Sequence, residues 1–129
     1  MKRKIIEEWI AKAEQDYDAL KILSRQRKHR VFDTICFHAQ QCAEKYLKAL
    51  IVFHRVSLPK IHDLGKLADL LQPFEPSIGL MTDLYERLSP YGVEFRYPGE
   101  EAIASEARIA IAAAKEIRRF VRDRLNLSR

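Results

Sequence analysis

The stretch from Phe37 to His54 constrains the fold of this chain more than any other. Apolar residues recur in and just before it at steps of three and four, the spacing that aligns side chains on one face of an α-helix with about 3.6 residues per turn. This apolar stripe consists of Ile35, Ala39, Cys42, Tyr46, Leu50 and Phe53. We therefore expect a long helix that buries the stripe in the core.

A polar row runs beside the apolar stripe at the same helical spacing. It consists of His38, Gln41, Lys45 and Lys48. Gln40 and Glu44 lie one position behind, and Glu44 is placed to pair with Lys48 four residues further on. A face that only contacts solvent rarely needs two consecutive glutamines, so this row is a candidate binding surface.

Composition favours a single helical domain spanning residues 1–129. A chain of 129 residues with 47% hydrophobic and 32% charged residues is typical of a globular protein. The low content of 4 Gly and 5 Pro favours long uninterrupted helices. We expect an all-α fold, an antiparallel up-and-down bundle of four to five helices.

Periodicity and breaker residues predict five helices. The first extends from about Arg3 to Ser24. The second has Asp33 or Thr34 as its cap, or starts a few residues earlier, since Val31 and Phe32 have the pattern of partly buried residues. The third begins at His62 or Asp63 and ends near Gln72. A short fourth follows Ser77 as its cap and ends at Ser89-Pro90. The last extends from about Glu100 to Leu125, with Ile103, Ala107, Ala110, Ala114, Ile117 and Val121 inward.

Three short motifs resemble those of HEPN domains, the small helical domains that often accompany minimal nucleotidyltransferases in prokaryotes. The run from Ala39 to Leu50, AQQCAEKYLKAL, resembles the family's signature helix. His62-Asp63-Leu64 resembles its His-Asp-Leu element, and Arg96-Tyr97-Pro98 resembles its Arg-Tyr-Pro turn before the last helix. Ile61 stands where the family usually has a threonine cap, so capping of the third helix is expected to fall to Asp63.

The resemblance implies partners and one possible chemistry. It implies a homodimer that works with a nucleotidyltransferase in a toxin–antitoxin-type pair, binds a nucleotide or RNA, and needs no cofactor. RNA-cleaving HEPN proteins carry an arginine followed after four to six residues by a histidine, and Arg55 and His62 have six residues between them. There the histidine would transfer a proton while the arginine holds the phosphate charge. Pro59 separates the pair, and His38 is the second candidate histidine. The structural alternative is that His62 caps the third helix or pairs with Asp63.

Six residues are candidates for ligand binding. Lys45, Lys48 and Arg96 suit a phosphate, because lysine supplies a point charge and arginine a two-pronged donor. The others are Tyr97, Gln41 and His38. Arg96 and Tyr97 lie in the segment from Pro90 to Gly99, for which we expect an ordered loop. The alternatives are surface salt bridges for the lysines and an acidic partner for Arg96.

The net charge of +5 permits a polyanionic partner without requiring one. A basic cluster follows the first helix: Arg25, Arg27, Lys28, His29 and Arg30. Cations suit a helix C-terminus, which explains this cluster as well as the arginines that end the last helix. Contact with nucleic acid is the alternative interpretation of the cluster.

The two cysteines argue against a disulfide and a metal site. Cys36 and Cys42 lie on one predicted helix with Cα atoms roughly 9 Å apart, beyond disulfide reach. Cys42 also falls on the apolar stripe, so we expect no metal. Without a signal peptide or an apolar run of about 18 residues, we expect a cytoplasmic protein that does not contact a membrane.

Three functional hypotheses remain from the sequence. The first is a nucleotide- or partner-binding module that works with a nucleotidyltransferase. The second is a metal-independent ribonuclease, the toxin half of such a pair. The third is a structural dimer without a ligand.

Overall fold

A computed structural model describes residues 2–92 and 97–129. Within these ranges the chain forms five α-helices, two 3₁₀ turns and no strand. The helices are α1 (Lys2–Ser24), α2 (Phe32–Phe53), α3 (Leu64–Leu71), α4 (Thr82–Leu88) and α5 (Ala104–Arg124), with 3₁₀ turns at Pro76–Met81 and Ser89–Tyr91. The expected all-helical fold is confirmed.

α2 is the central helix, and most of its residues are buried. It is antiparallel to α1, because the Lys48 ammonium lies over the Trp9 ring while His38 contacts Asp16 further along α1. It is parallel to α5, because Asp33 contacts Ala102 near one end and Tyr46 contacts Arg122 towards the other. α2 therefore packs between the two other long helices.

The short helices cover the remaining side of α2. The connection after α2 runs back along it, since His62 contacts Glu44. α3 then runs parallel to α2, because the segment that follows α3 places Glu75 against His54 at the far end. The chain returns through α4 to Gly92, which lies beside the Gln40 amide. This path places the start of α3 and the end of α4 at the same level of α2.

An aspartate caps α3 but not α2. Asp63 caps α3 by accepting a hydrogen bond from the Lys66 backbone N–H at 3.0 Å, as expected. A cap at Asp33 or Thr34 was the wrong prediction for α2, because the helix has the earlier start, with Val31 at the cap position and no side-chain cap. Asp33 instead accepts from the Ala102 backbone N–H at 2.6 Å. The Asp33 carboxylate, which local sequence suggested as the cap of α2, is thus occupied by a contact with a distant segment of the chain.

The later helices begin further along the chain than predicted. Pro76 and Ser77 begin a 3₁₀ turn, so α4 begins only at Thr82. α5 begins at Ala104, where Glu106 accepts from the Ile103 backbone N–H at 3.1 Å. Ile103 is therefore at the cap and 60% exposed, contrary to its predicted inward position. Phe53, at the end of α2, is also exposed rather than buried.

The alanine-rich face of α5 packs within the subunit. Ala110, Ala113 and Ala114 are buried, and only Ala112 of the run is exposed. Their small size allows the close approach of neighbouring helices in this chain. In its described part, the chain has no helix that is both long enough and apolar enough to span a bilayer.

Candidate functional site

Beside its apolar stripe, α2 carries three buried polar side chains, Gln40, Glu44 and Lys48. Together with His62 from the connection that follows α2, they form what we call the Glu44 network. The Gln40 side-chain amide donates to Glu44 Oε1 at 3.0 Å and to the His62 carbonyl at 3.3 Å. Lys48 Nζ donates to Glu44 Oε2 at 2.9 Å, which confirms the predicted pair. Gln40, Glu44 and Lys48 are all buried, so this part of α2 is built into the protein interior.

His62 is the exposed member of this network. Its Nδ1 lies 2.9 Å from Glu44 Oε2, although its side chain is 72% exposed. An ionised carboxylate can only accept hydrogen bonds, so Nδ1 carries the proton and Nε2 is left as an acceptor. The buried carboxylate thereby selects both the tautomer and the orientation of an accessible imidazole.

Glu44 is ionised at neutral pH. Burial alone would raise the pKa of its carboxyl group, but hydrogen bonds with His62, Gln40 and Lys48, together with the Lys48 charge, outweigh it and lower the pKa below 4.5. Charge neutralisation by Lys48 is therefore built into the network.

A second group on the same side of α2 is the Asp16 network: Asp16, His38 and Lys45. Asp16 is a buried residue of α1, and its two carboxylate oxygens lie 2.8 Å from His38 Nδ1 and 2.6 Å from Lys45 Nζ. His38 and Lys45 are half-buried. Two histidines are thus each held through Nδ1 by a buried carboxylate.

A third polar group joins the three long helices and has a structural role. Arg118 of α5 donates through Nε and Nη2 to the two Glu14 carboxylate oxygens at 2.7 and 2.9 Å. Tyr46 of α2 donates to the same carboxylate, and Arg122 donates to the Tyr46 hydroxyl at 3.0 Å. Burial opposes ionisation of Glu14, but Arg118 and Tyr46 outweigh it and lower its pKa.

Sequence reasoning missed the role of Asp16. Asp16 lies at helical steps from Ala13 and Leu20, both of which are fully buried. An acid on an apolar stripe needs a buried partner. That spacing was the available signal, whereas the identity of its partners on α2 depends on how the two helices pack.

Five of the six predicted ligand-binding residues lie in the described part of the chain, and their surroundings differ. Lys48 is buried against Glu44 and Trp9, so a ligand reaches it only by displacing them. Gln41 is half-buried and donates to the Gln40 side-chain carbonyl at 2.8 Å. Tyr97 is exposed. Arg96 lies outside the described residues.

Arg55 and His62, the predicted catalytic pair, lie at different levels of the bundle. Arg55 follows the end of α2 with a left-handed backbone (φ 61°) and lines a cavity of about 710 Å³ with Arg3 and Glu7 of α1. His62 contacts Glu44, and Glu44 and Arg55 are about 16 Å apart along α2 at 1.5 Å per residue. The extended connection therefore keeps the two side chains apart within one subunit.

Cys36 and Cys42 are both buried, and neither takes part in a disulfide bond. Burial raises the pKa of the Cys42 thiol, which disfavours the thiolate that a metal requires. Across residues 2–92 and 97–129, no group of three histidine, cysteine or carboxylate side chains is placed to hold a metal ion.

Comparison with known proteins identifies the family. A family model of the HEPN domain matches residues 6–124. The chain belongs to the HEPN family. The crystal structure of an archaeal HEPN homologue has the same fold, with a TM-score of 0.72 and 22% sequence identity over 92% of this chain and 96% of that chain. No curated protein matches the chain.

The signature helix of this HEPN domain contributes side chains to both histidine-orienting networks. Residues from Ala39 to Leu50 include Gln40, Glu44 and Lys45. The arginine–histidine spacing of RNA-cleaving HEPN proteins is present in the sequence, but within a subunit the charged partner of His62 is Glu44 rather than Arg55. The candidate site is therefore centred on the polar side of α2.

Proposed function

We propose that this HEPN protein is a binding module for a phosphate-bearing ligand, a nucleotide or RNA, and that it works with a nucleotidyltransferase in a toxin–antitoxin-type pair. The observation that carries the proposal is the exposed His62 imidazole held by the buried Glu44 carboxylate. Membership of the family supports the nucleotidyltransferase partner, because HEPN domains often accompany such enzymes.

The cost of the Glu44 network favours a binding function over a purely structural dimer. Burying charged groups requires their desolvation, and replacing a buried ion pair by apolar residues is often neutral or stabilising. A helix whose only task is packing has no need of Gln40, Glu44 and Lys48 in the interior. Their burial is useful when it holds an exposed group such as His62 in a fixed position.

The charges of the two networks suggest how the ligand is recognised. Lys45 and Lys48 are each paired with a carboxylate, so they contribute little free positive charge. We expect contacts from His62, His38 and Gln41 rather than from the lysines.

Calorimetric titration of ATP, GTP and a short RNA tests the binding function. His62→Ala should weaken binding about tenfold, the effect of one hydrogen bond to a charged group. Lys60→Ala is the matched control, because Lys60 is an exposed residue of the same connection. Equal affinities of the two variants would remove His62 from the ligand site.

The second candidate is a metal-independent ribonuclease. The favouring observation is again specific to His62: with Nδ1 bound to Glu44, its Nε2 is an acceptor able to take a proton from a 2′-hydroxyl. Within one subunit, Arg55 does not lie beside His62. The ribonuclease proposal therefore requires a dimer, in which the His62 residues of the two subunits meet and act as acid and base.

Two measurements test the ribonuclease. Chelator-treated protein incubated with single-stranded RNA should cleave it, and His62→Ala should abolish cleavage; cleavage that survives this substitution contradicts the assignment. Light scattering should give a homodimer, twice the 15.1 kDa of the chain. A monomer that still cleaves RNA would contradict the two-subunit site.

A further inference from the structure

An arginine-lined groove lies between the α1–α2 connection and the first half of α5. Its volume is about 510 Å³, and its rim carries Arg25, Arg27 and Arg30 from the connection and Arg108 from α5. Its floor is apolar, formed by Phe32 and other residues of the three long helices. No residue of the Glu44 or Asp16 network contributes to it.

No carboxylate of the described residues pairs with the four arginines. None of the ion pairs among residues 2–92 and 97–129 involves them, and no acidic residue lines the groove. All four are exposed. The nearby carboxylate of Asp33 accepts from the Ala102 backbone instead. The groove is therefore a concave surface of one sign of charge.

Helix stabilisation does not account for this arrangement. A helix C-terminus explains a cation at Arg25, but Arg108 lies in the N-terminal half of α5, where the helix dipole offers cations no stabilisation. Arg108 has no acidic residue three or four positions away, so intrahelical pairing does not explain it either. Its position opposite the basic connection needs another reason.

We propose that this groove binds the phosphate backbone of single-stranded RNA. Guanidinium groups match phosphate oxygens with two-pronged hydrogen bonds, and an apolar floor between them suits the face of a base. The volume lies in the range of small-ligand sites, which fits one or two nucleotides of a single strand rather than a duplex. A charged membrane requires an outward-facing surface, whereas these arginines surround a concavity.

The test compares two triple variants that each remove three positive charges. The groove variant is Arg27→Ala, Arg30→Ala and Arg108→Ala. The matched control is Arg3→Ala, Arg87→Ala and Arg119→Ala, three exposed arginines outside the groove. Fluorescence anisotropy with a labelled oligouridylate of about 12 nucleotides is measured from about 50 to about 200 mM salt.

The groove variant should bind at least about tenfold more weakly than the control at low salt. The slope of log affinity against log salt should fall by about 0.7 for each lost phosphate contact, hence by about 2. Equal affinities and slopes for the two variants would overturn the proposal. It would also be overturned if the wild type bound phosphatidylserine vesicles and not the RNA. Neither result depends on His62. The binding function proposed above is therefore tested separately, by the calorimetric titration of His62→Ala.

Discussion

The Glu44 network and the arginine groove both use cationic side chains, but in opposite ways. In the network, Lys48 is buried and paired with a carboxylate at 2.9 Å. In the groove, Arg27, Arg30 and Arg108 are exposed and outside every ion pair of the described residues. A paired, buried cation positions its neighbours, whereas an unpaired, exposed cation attracts an anion.

Breaking the buried pair should have the largest effect on stability. Glu44→Ala leaves Lys48 buried without its carboxylate and should lower the free energy of unfolding by about 3–5 kcal/mol, measured by urea denaturation. The double variant Glu44→Leu, Lys48→Met should recover most of the loss, because it removes both charges and fills the volume. A loss below about 1 kcal/mol for Glu44→Ala would show that Lys48 readily reaches solvent.

Lowering the pH should have the second-largest effect on stability, through the buried carboxylates. The pKa values of Glu14 and Glu44 are lowered in the folded chain, so the unfolded chain binds more protons as the pH falls below 4.5. Their stabilisation is complete above that pH and is lost as the pH falls through the folded-state values. The midpoint of urea unfolding should therefore drop between neutral pH and about pH 3.

A variant separates Glu44 from the other carboxylates. Glu44→Gln should show a shallower decrease of stability with acid than the wild type, because one of the responsible groups is gone. Glu86→Gln, which changes an exposed residue of α4, is the control and should follow the wild-type curve. Identical curves for all three proteins would exclude Glu44 as a source of acid sensitivity.

Substitution of His62 should affect ligand binding more than stability. Its side chain is 72% exposed, so His62→Ala should change the free energy of unfolding by less than about 1 kcal/mol while weakening ligand binding. Comparing urea denaturation with calorimetric titration of the same variant checks this. A variant that unfolds much more easily would instead make His62 a structural member of the network.

The groove should show the smallest effect on stability. Each alanine substitution at Arg27, Arg30 or Arg108 should change the free energy of unfolding by no more than about 0.5 kcal/mol, since none breaks a described ion pair. Urea denaturation of the groove variant and its matched control should therefore give similar midpoints. A marked loss in the groove variant alone would mean that the arginines support the fold.

Local patterns predicted the features that depend on neighbouring residues. The spacing of apolar residues predicted α2, and the four-residue separation predicted the Glu44–Lys48 pair. Asp63 caps α3 as its position suggested. The errors lie where distant segments compete for the same group, as at Asp33, which bonds Ala102 instead of capping α2. The ligand role of Lys45 stays a prediction, now with Asp16 as its observed partner.

The sequence by itself determined the helical class, the approximate helices and the likeness to the HEPN family, because helix spacing and short motifs are local properties of the chain. Only the tertiary structure decided which polar residues are buried and which charges are paired. It placed His62 beside Glu44 and kept it from Arg55, since the extended connection after α2 runs back along that helix. It also brought Arg108 opposite the basic connection, because α5 packs antiparallel to α1. Such contacts between distant residues depend on the path of the whole chain. The spacing of residues along one helix carries no information about that path.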